Sequence, residues 1–148
     1  MRYGAARMRY NGCEIIAVCN ALRTLGAPMP LWETAECFSR TLGLWLFGIF
    51  GTRPHAIPSF FRGRGFRVTV YKKRAYEDAA KETVLIYSYW NPRFRGIHTV
   101  ELHKTEGGYE VLNYRPLARR KFPTPAALCG AIPASGAILL IGIAEGRP

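Results

Sequence analysis

The sequence predicts an α+β fold, with helices first and a mostly antiparallel sheet of about five strands after them. Helical spacing of apolar residues is confined to the N-terminal part, and the rest changes to short runs rich in Val, Ile, Tyr and Thr bounded by Gly, Pro and charged turns. Helices followed by strands, with no internal repeat, is the α+β pattern. The 148 residues are 49 % hydrophobic and 21 % charged, which excludes a disordered tail or a low-complexity linker. A chain of this length buries roughly 70 % of the surface it exposes when unfolded, so residues 1–148 are expected to form one domain around one core.

Between 11 and 25, Ile15, Val18, Cys19, Leu22 and Leu25 recur at steps of three and four. Ile16, Ala17 and Ala21 add apolar surface on the other side, so this helix should be buried nearly all round. Gly26 is placed to end it, and Pro28 and Pro30 forbid its continuation. A second helix is expected over 31–42 and a short one from Pro54 to Arg62, separated by an aromatic stretch broken by glycines. Strands are expected at 67–72, 83–90, 96–104, 109–114 and 137–144, with short helices at 74–80 and 124–131.

The formal charge of +11 favours anionic partners, whether nucleic acid, acidic peptides or anionic lipid heads. Cys13, Cys19, Cys37 and Cys129 form no CxxC pair and have no His at zinc-finger spacing, so no metal or cofactor is expected. Buried thiols in a reducing compartment fit this pattern better than disulfides. The N-terminus MRYGAARMRY lacks the apolar segment of a secretory signal, and no apolar run approaches the ~18 residues of a membrane span. A cytoplasmic location is therefore expected.

Asn11-Gly12-Cys13-Glu14 is the most informative tetrapeptide. Asn is a preferred N-cap, and a Glu three residues later can reach back in a capping box, which places Cys13 in the first helical turn. There the helix dipole favours a thiolate, while the charge of Glu14 opposes it. The plainer alternative is that Cys13 merely packs. In 96–103, GIHTVELH, alternation sets His98, Val100 and Leu102 on a core-facing side and Thr99, Glu101 and His103 on the other. A lone His on an apolar face is usually a core residue unless both ring nitrogens have partners. If the loop at Thr105-Glu106-Gly107-Gly108 is even-numbered, Val100 lies across from Asn113, a diagonal neighbour of His98. A two-residue loop at Thr105-Glu106 makes Asn113 and His98 direct neighbours, and an odd loop separates them. In either even register Cys13, His98 and Asn113 can serve as nucleophile, base and orienting amide.

NGCEIIAVCNALRTLG resembles the catalytic helix of papain-like cysteine peptidases, and GIHTVELHKTEGGYEVLNY resembles their His-bearing hairpin with the Asn or Asp that follows. The branch that processes bacteriocin leaders is the most similar. The resemblance implies a papain-like fold in which Cys13 opens the helix, His98 opens a strand and Asn113 ends the next strand ahead of Pro116. It implies a thiol peptidase or related acyl-transfer enzyme acting on a peptide or acyl substrate, which the positive charge suggests is acidic. Trp90 and Asn91 would line one wall of the cleft. Such peptidases carry a Gln shortly before the nucleophile to bind the oxyanion; here Arg7 stands in that place, and the chain has no Gln. An oxyanion donor is worth about a hundredfold or more in rate. Either Arg7, Tyr10 or Asn11 replaces it, or the domain is a weak enzyme or a binding module on the same fold.

A nucleic-acid binder is the competing reading. The segments 60–67, 71–74, 93–95 and 115–121 alternate cations with aromatics, which suits phosphate contacts and base stacking. Aromatic core and solvated cations give the same composition. His55 and His103 are expected at the surface, and Cys19, Cys37 and Cys129 as incidental thiols.

Overall fold

The structure, a computed structural model, describes residues 12–40, 52–92, 96–114, 120–132 and 136–146, together with the backbone of residues 2–3 and 6–7. That N-terminal backbone forms a small antiparallel ribbon of β1 (Arg2–Tyr3) and β2 (Ala6–Arg7). Helix α1 (Cys13–Thr24) buries Ile15, Ala17, Val18, Ala21 and Leu22. It stops because Gly26 adopts φ +73°, which lets the Ala27 N–H reach the Leu22 carbonyl (2.9 Å) and the Gly26 N–H reach the Arg23 carbonyl (3.1 Å). This Schellman closure satisfies carbonyls that the helix end would otherwise leave bare. Helices α2 (Leu31–Arg40) and α3 (Ala56–Arg62) follow; residues 41–51, which include the glycine-broken stretch, lie outside the described residues.

The rest of the chain builds a six-stranded sheet from β3 (Arg67–Tyr71), β4 (Val84–Asn91), β5 (Gly96–Thr105), β6 (Gly108–Leu112), β7 (Arg120–Phe122) and β8 (Ala137–Ala144). The order is β3-β8-β4-β5-β6-β7, with every neighbouring pair antiparallel. The α+β class read from the sequence is therefore the observed one, with one more strand than expected. Strand β7 escapes a sequence reading because three residues, two of them charged, are too short to show a period of two. The helix expected at 74–80 is instead a pair of 3-10 turns, Lys73–Ala75 and Glu77–Lys81. Helix α4 (Pro125–Ala131) is opened by Thr124, whose hydroxyl accepts from the Ala127 N–H at 3.1 Å.

Both faces of the sheet are covered. On one, α1, α2 and α3 pack Ile15, Leu22, Phe38 and Phe61 over Val84, Ile86, Ile141 and Ile143. On the other, Tyr76, Ala79, Leu128 and Ile132 pack over Leu85, Tyr87, Val100, Leu102 and Leu140. This corrects one expectation. Thr99 and Glu101, read as an outward face, are both 0 % exposed, because α1 lies across β5. His103 on the same face is not at the surface but half-buried, 3.2 Å from Glu101 Oε2 and 4.0 Å from Glu110 Oε2. Glu101 also accepts from the Thr24 hydroxyl (3.2 Å), which ties the end of α1 to β5. No helix among the described residues is long and apolar enough to cross a membrane.

The left-handed residue after α1 generates the first prediction. Gly26→Ala should cost about 1 kcal/mol, because an L side chain is strained at that φ. The denaturation midpoint should fall with the m-value unchanged; an unmoved midpoint would show that the closure does not depend on this conformation.

Candidate active site

Strand β6 leaves β5 at the Glu101–Leu112 pair, so residues 96–100 of β5 have no strand on that side among the described residues. The hairpin turn is Glu106-Gly107, closed by the Thr105–Gly108 pair. One step beyond the ladder this register sets Asn113 opposite Val100, the first of the arrangements read from the sequence. Asn113 then turns into the left-handed region, φ 64°, which Asn tolerates better than most residues. Its carbonyl lies 2.7 Å from His98 Nε2, and its side-chain amide donates to the Thr99 carbonyl (2.9 Å) and the Cys13 carbonyl (3.2 Å).

The N-terminus of α1 occupies the place that β6 vacates. Cys13 Sγ lies 3.5 Å from the Ile97 carbonyl, and the Thr99 N–H is directed at the same sulfur. The thiol thus sits along the β5 edge beside the two residues that flank His98. A carbonyl can only accept, so Nε2 of His98 carries the proton and Nδ1 is the basic nitrogen. The ring is half-buried and meets Tyr89 edge-on, with centroids 5.6 Å apart. Asn113 thus links His98 and Cys13: its carbonyl meets His98 Nε2 and its side-chain amide bonds the Cys13 carbonyl. The group that orients the imidazole is the backbone carbonyl of Asn113, whereas the sequence reading assigned that task to its amide.

Two expectations about Cys13 need correction. Asn11 lies outside the described residues, and the N-cap of α1 is Gly12, which has no side chain with which to accept, so the capping box does not form. Glu14 instead turns its carboxyl onto its own N–H, the N–H of Thr52 and the thiol, with Cys13 Sγ donating to Oε2 at 3.2 Å. The helix start was also expected to make a thiolate. Burial, followed by the neighbouring carboxyl of Glu14, instead pushes the Cys13 thiol well above its usual range, and the Thr99 N–H only partly offsets this. Glu14 is 1 % exposed, and burial raises its carboxyl to about 8. Near neutral pH the pair is a thiol beside a carboxylic acid.

The other residues singled out in the sequence divide clearly. Tyr10 and Pro116 lie outside the described residues, and of Arg7 only the backbone, in β2, is described. Trp90 pairs with Ile97 and Asn91 with Gly96, which places both one strand away from the thiol; Trp90 is 44 % exposed. His55 is exposed at the start of α3. Cys129 is buried, with its thiol pushed up to about 12, and Cys19 bonds the Thr34 hydroxyl at 3.3 Å. Arg64 donates to Cys37 at 3.4 Å. Among the described residues no three His, Cys, Asp or Glu side chains gather as a metal site. Sequence reasoning missed Tyr89 and Thr52. Tyr89 faces His98 because β4 pairs one residue past its expected end, at Asn91–Gly96, and nothing local marks Thr52. No protein-family model and no curated protein matches the chain.

Two predictions follow from this geometry. If the carbonyl of Asn113 holds His98, Asn113→Gly should keep the Nε2–H tautomer in nitrogen NMR of the ring. Asn113→Val should lose it and be about 1–2 kcal/mol less stable than the Gly variant, since a β-branched residue resists φ 64°. Equal loss in both variants would return the orienting role to the amide. Glu14 provides the second test. The folded chain keeps a proton up to about pH 8 that the unfolded chain releases near 4.5, so stability from this group is whole below 4.5 and lost as pH rises to about 8. Glu14→Gln should flatten that fall in melting temperature and move the alkylation midpoint of Cys13 to lower pH; an unshifted profile would remove Glu14 from the thiol's surroundings.

Proposed function

We propose that the protein is a papain-like thiol hydrolase, a cysteine peptidase acting on a specific peptide or acyl substrate, with Cys13 as nucleophile, His98 as base and Asn113 as the residue that positions it. The observation that supports this most is the junction at the β5 edge, where Asn113 holds His98 Nε2 with its carbonyl at 2.7 Å and the Cys13 carbonyl with its amide at 3.2 Å, while the Cys13 thiol lies 3.5 Å from the carbonyl of the residue before His98. In the cycle, Sγ attacks the substrate carbonyl while its proton passes to Nδ1 of His98. The imidazolium, fixed through Nε2–H, then returns that proton to the departing amine as the C–N bond breaks, leaving a thioester. Water, deprotonated by the same Nδ1, hydrolyses the thioester and restores the thiol.

Because the resting thiol is protonated, proton removal belongs to the attack itself and does not precede it. The oxyanion would be met by the Cys13 N–H at the start of α1, since the Glu14 N–H is held by its own carboxyl, with Arg7, Tyr10 or Asn11 in place of the absent Gln. The exposed indole of Trp90 offers a wall for substrate side chains. A second reading, a catalytically weak or inactive binding module on the same fold, is favoured by the raised thiol and the missing Gln. The nucleic-acid reading loses its stacking residues among those described, since Phe61 is buried, Phe60 stacks on Phe38, and Phe66 and Tyr71 pack into the two cores; residues 93–95 and 115–119 lie outside the described residues.

The test is turnover of amide and ester substrates beside alkylation by iodoacetamide, in a Cys37→Ser background that removes the thiol next to Arg64. Turnover should fall about a thousandfold or more in Cys13→Ala and in His98→Ala, and about a hundredfold in whichever of Arg7→Ala and Tyr10→Phe removes the oxyanion donor. Hydrolysis that survives in Cys13→Ala overturns the enzyme reading. Substrate binding without turnover in the wild type selects the inactive module.

A further inference from the structure

A concavity lies away from Cys13, at the β3 edge of the sheet. Strand β3 ends at Tyr71, opposite Leu140, while β8 runs on through Ala137 alongside β4. Residues 137–139 are therefore the floor of a notch where the sheet has no β3 partner. The outer side of α3 forms one wall and the turn after β3 the other, enclosing about 550 Å³, a volume in the range of small-molecule sites. The charged side chains that line it, Arg62, Lys72 and Lys73, with His55 beside them, are all basic, and no carboxylate lines it. Lys72 and Lys73 are exposed, and neither has an ion-pair partner among the described residues. Beneath these cations lie Val70, 49 % exposed on an edge strand where a Val gains nothing from water, the buried Pro58 and Leu139, and Ser59, Tyr71 and Tyr76.

From this combination we infer a second site, one that binds a small organic polyanion: a phosphate-bearing molecule of nucleotide size whose anionic end meets Arg62, Lys72 and Lys73 and whose apolar body lies on Val70, Pro58 and Leu139. Two of the cation–aromatic segments that the sequence offered as a nucleic-acid surface, 60–67 and 71–74, converge here. Of their aromatic residues, Phe60, Phe61 and Phe66 pack into one core and Tyr71, which also lines the notch, is largely buried in the other, so what remains at the surface is mainly charge around a notch, not a row of stacking rings along a groove. That shape suits one compact anion better than a strand. Clustered, unpaired cations over an apolar floor bind such a molecule through charge-assisted hydrogen bonds and burial of its body. The site is independent of the chemistry proposed for Cys13, since it lies at the other side of β8 and β4 from β5 and shares no residue with the thiol's surroundings.

Calorimetric titration of the full chain with ADP and with inorganic pyrophosphate, at physiological ionic strength, tests it. ADP should bind one to one and about tenfold tighter than pyrophosphate, the difference reporting the apolar floor. The double variant Lys72→Ala/Lys73→Ala should weaken ADP by about tenfold or more, while the charge-matched control Arg23→Ala/Lys121→Ala, on exposed residues elsewhere, should leave it unchanged. All four substitutions are at exposed positions, so an unchanged melting temperature confirms that the variants are folded. Three results would overturn the inference: no binding at millimolar ADP, equal loss in the control pair, which would mean a response to net charge alone, or tight binding of a single-stranded oligonucleotide that the Lys72/Lys73 variant does not weaken.

Discussion

Residues 96–100 of β5 run past the end of β6, and the backbone groups along that edge need partners where α1 shields them from water. Buried peptide groups are almost always satisfied, and the partners here are unusual. The amide of Asn113 takes the Thr99 carbonyl, the Cys13 sulfur receives the Thr99 N–H, and the same sulfur lies 3.5 Å from the Ile97 carbonyl. A β6 that continued alongside residues 96–100 would fill the same positions with peptide groups and leave no room for a cysteine. The site thus exists because a ladder ends early, and the turn that ends it, left-handed at Asn113, also aims a carbonyl at His98.

The electrostatics of the site are set by burial more than by the helix. A cysteine in the first turn of a helix is ordinarily biased toward the thiolate, but that bias is a fraction of a unit charge acting at an exposed end. Here the end is covered, and the nearest ionisable group is a carboxyl that is itself 1 % exposed. Desolvation opposes both charges at once, so each group keeps its proton and the thiol–carboxyl hydrogen bond joins two neutral partners. Any nucleophile has to be made at the moment of need.

Much of this architecture was legible in the sequence. Apolar spacing located α1 and Gly26 its end; alternation and turn residues located five of the six strands of the sheet; and the even hairpin loop set Asn113 opposite Val100 in the register that the structure has. What escaped had physical reasons. Periodicity cannot tell whether a face of alternating residues meets water or a helix, so Glu101 and His103 were read as outward when α1 covers them. The helix start slipped by one residue because an Asn cap and a Gly cap look alike until the backbone is seen. Residue type identified Asn113 as a hydrogen-bonding partner but could not show that its backbone would hold the imidazole while its side chain secured the helix.

The strand order has a consequence for how the molecule comes into being. β8, with the sequence AILLIGIA, lies between β3 and β4 and is buried on both faces over most of its length, yet it follows every other strand of the sheet in the chain. During synthesis, β3 and the outer edge of β4 emerge long before the strand that joins them, and the whole β4–β7 meander can form with one apolar edge still open. Such an intermediate is vulnerable to pairing with another copy of itself. Closure of the sheet, and with it the final seating of α1 on its completed floor, waits for β8 to arrive, so a nascent chain carries its cysteine and histidine before the sheet beneath α1 is complete.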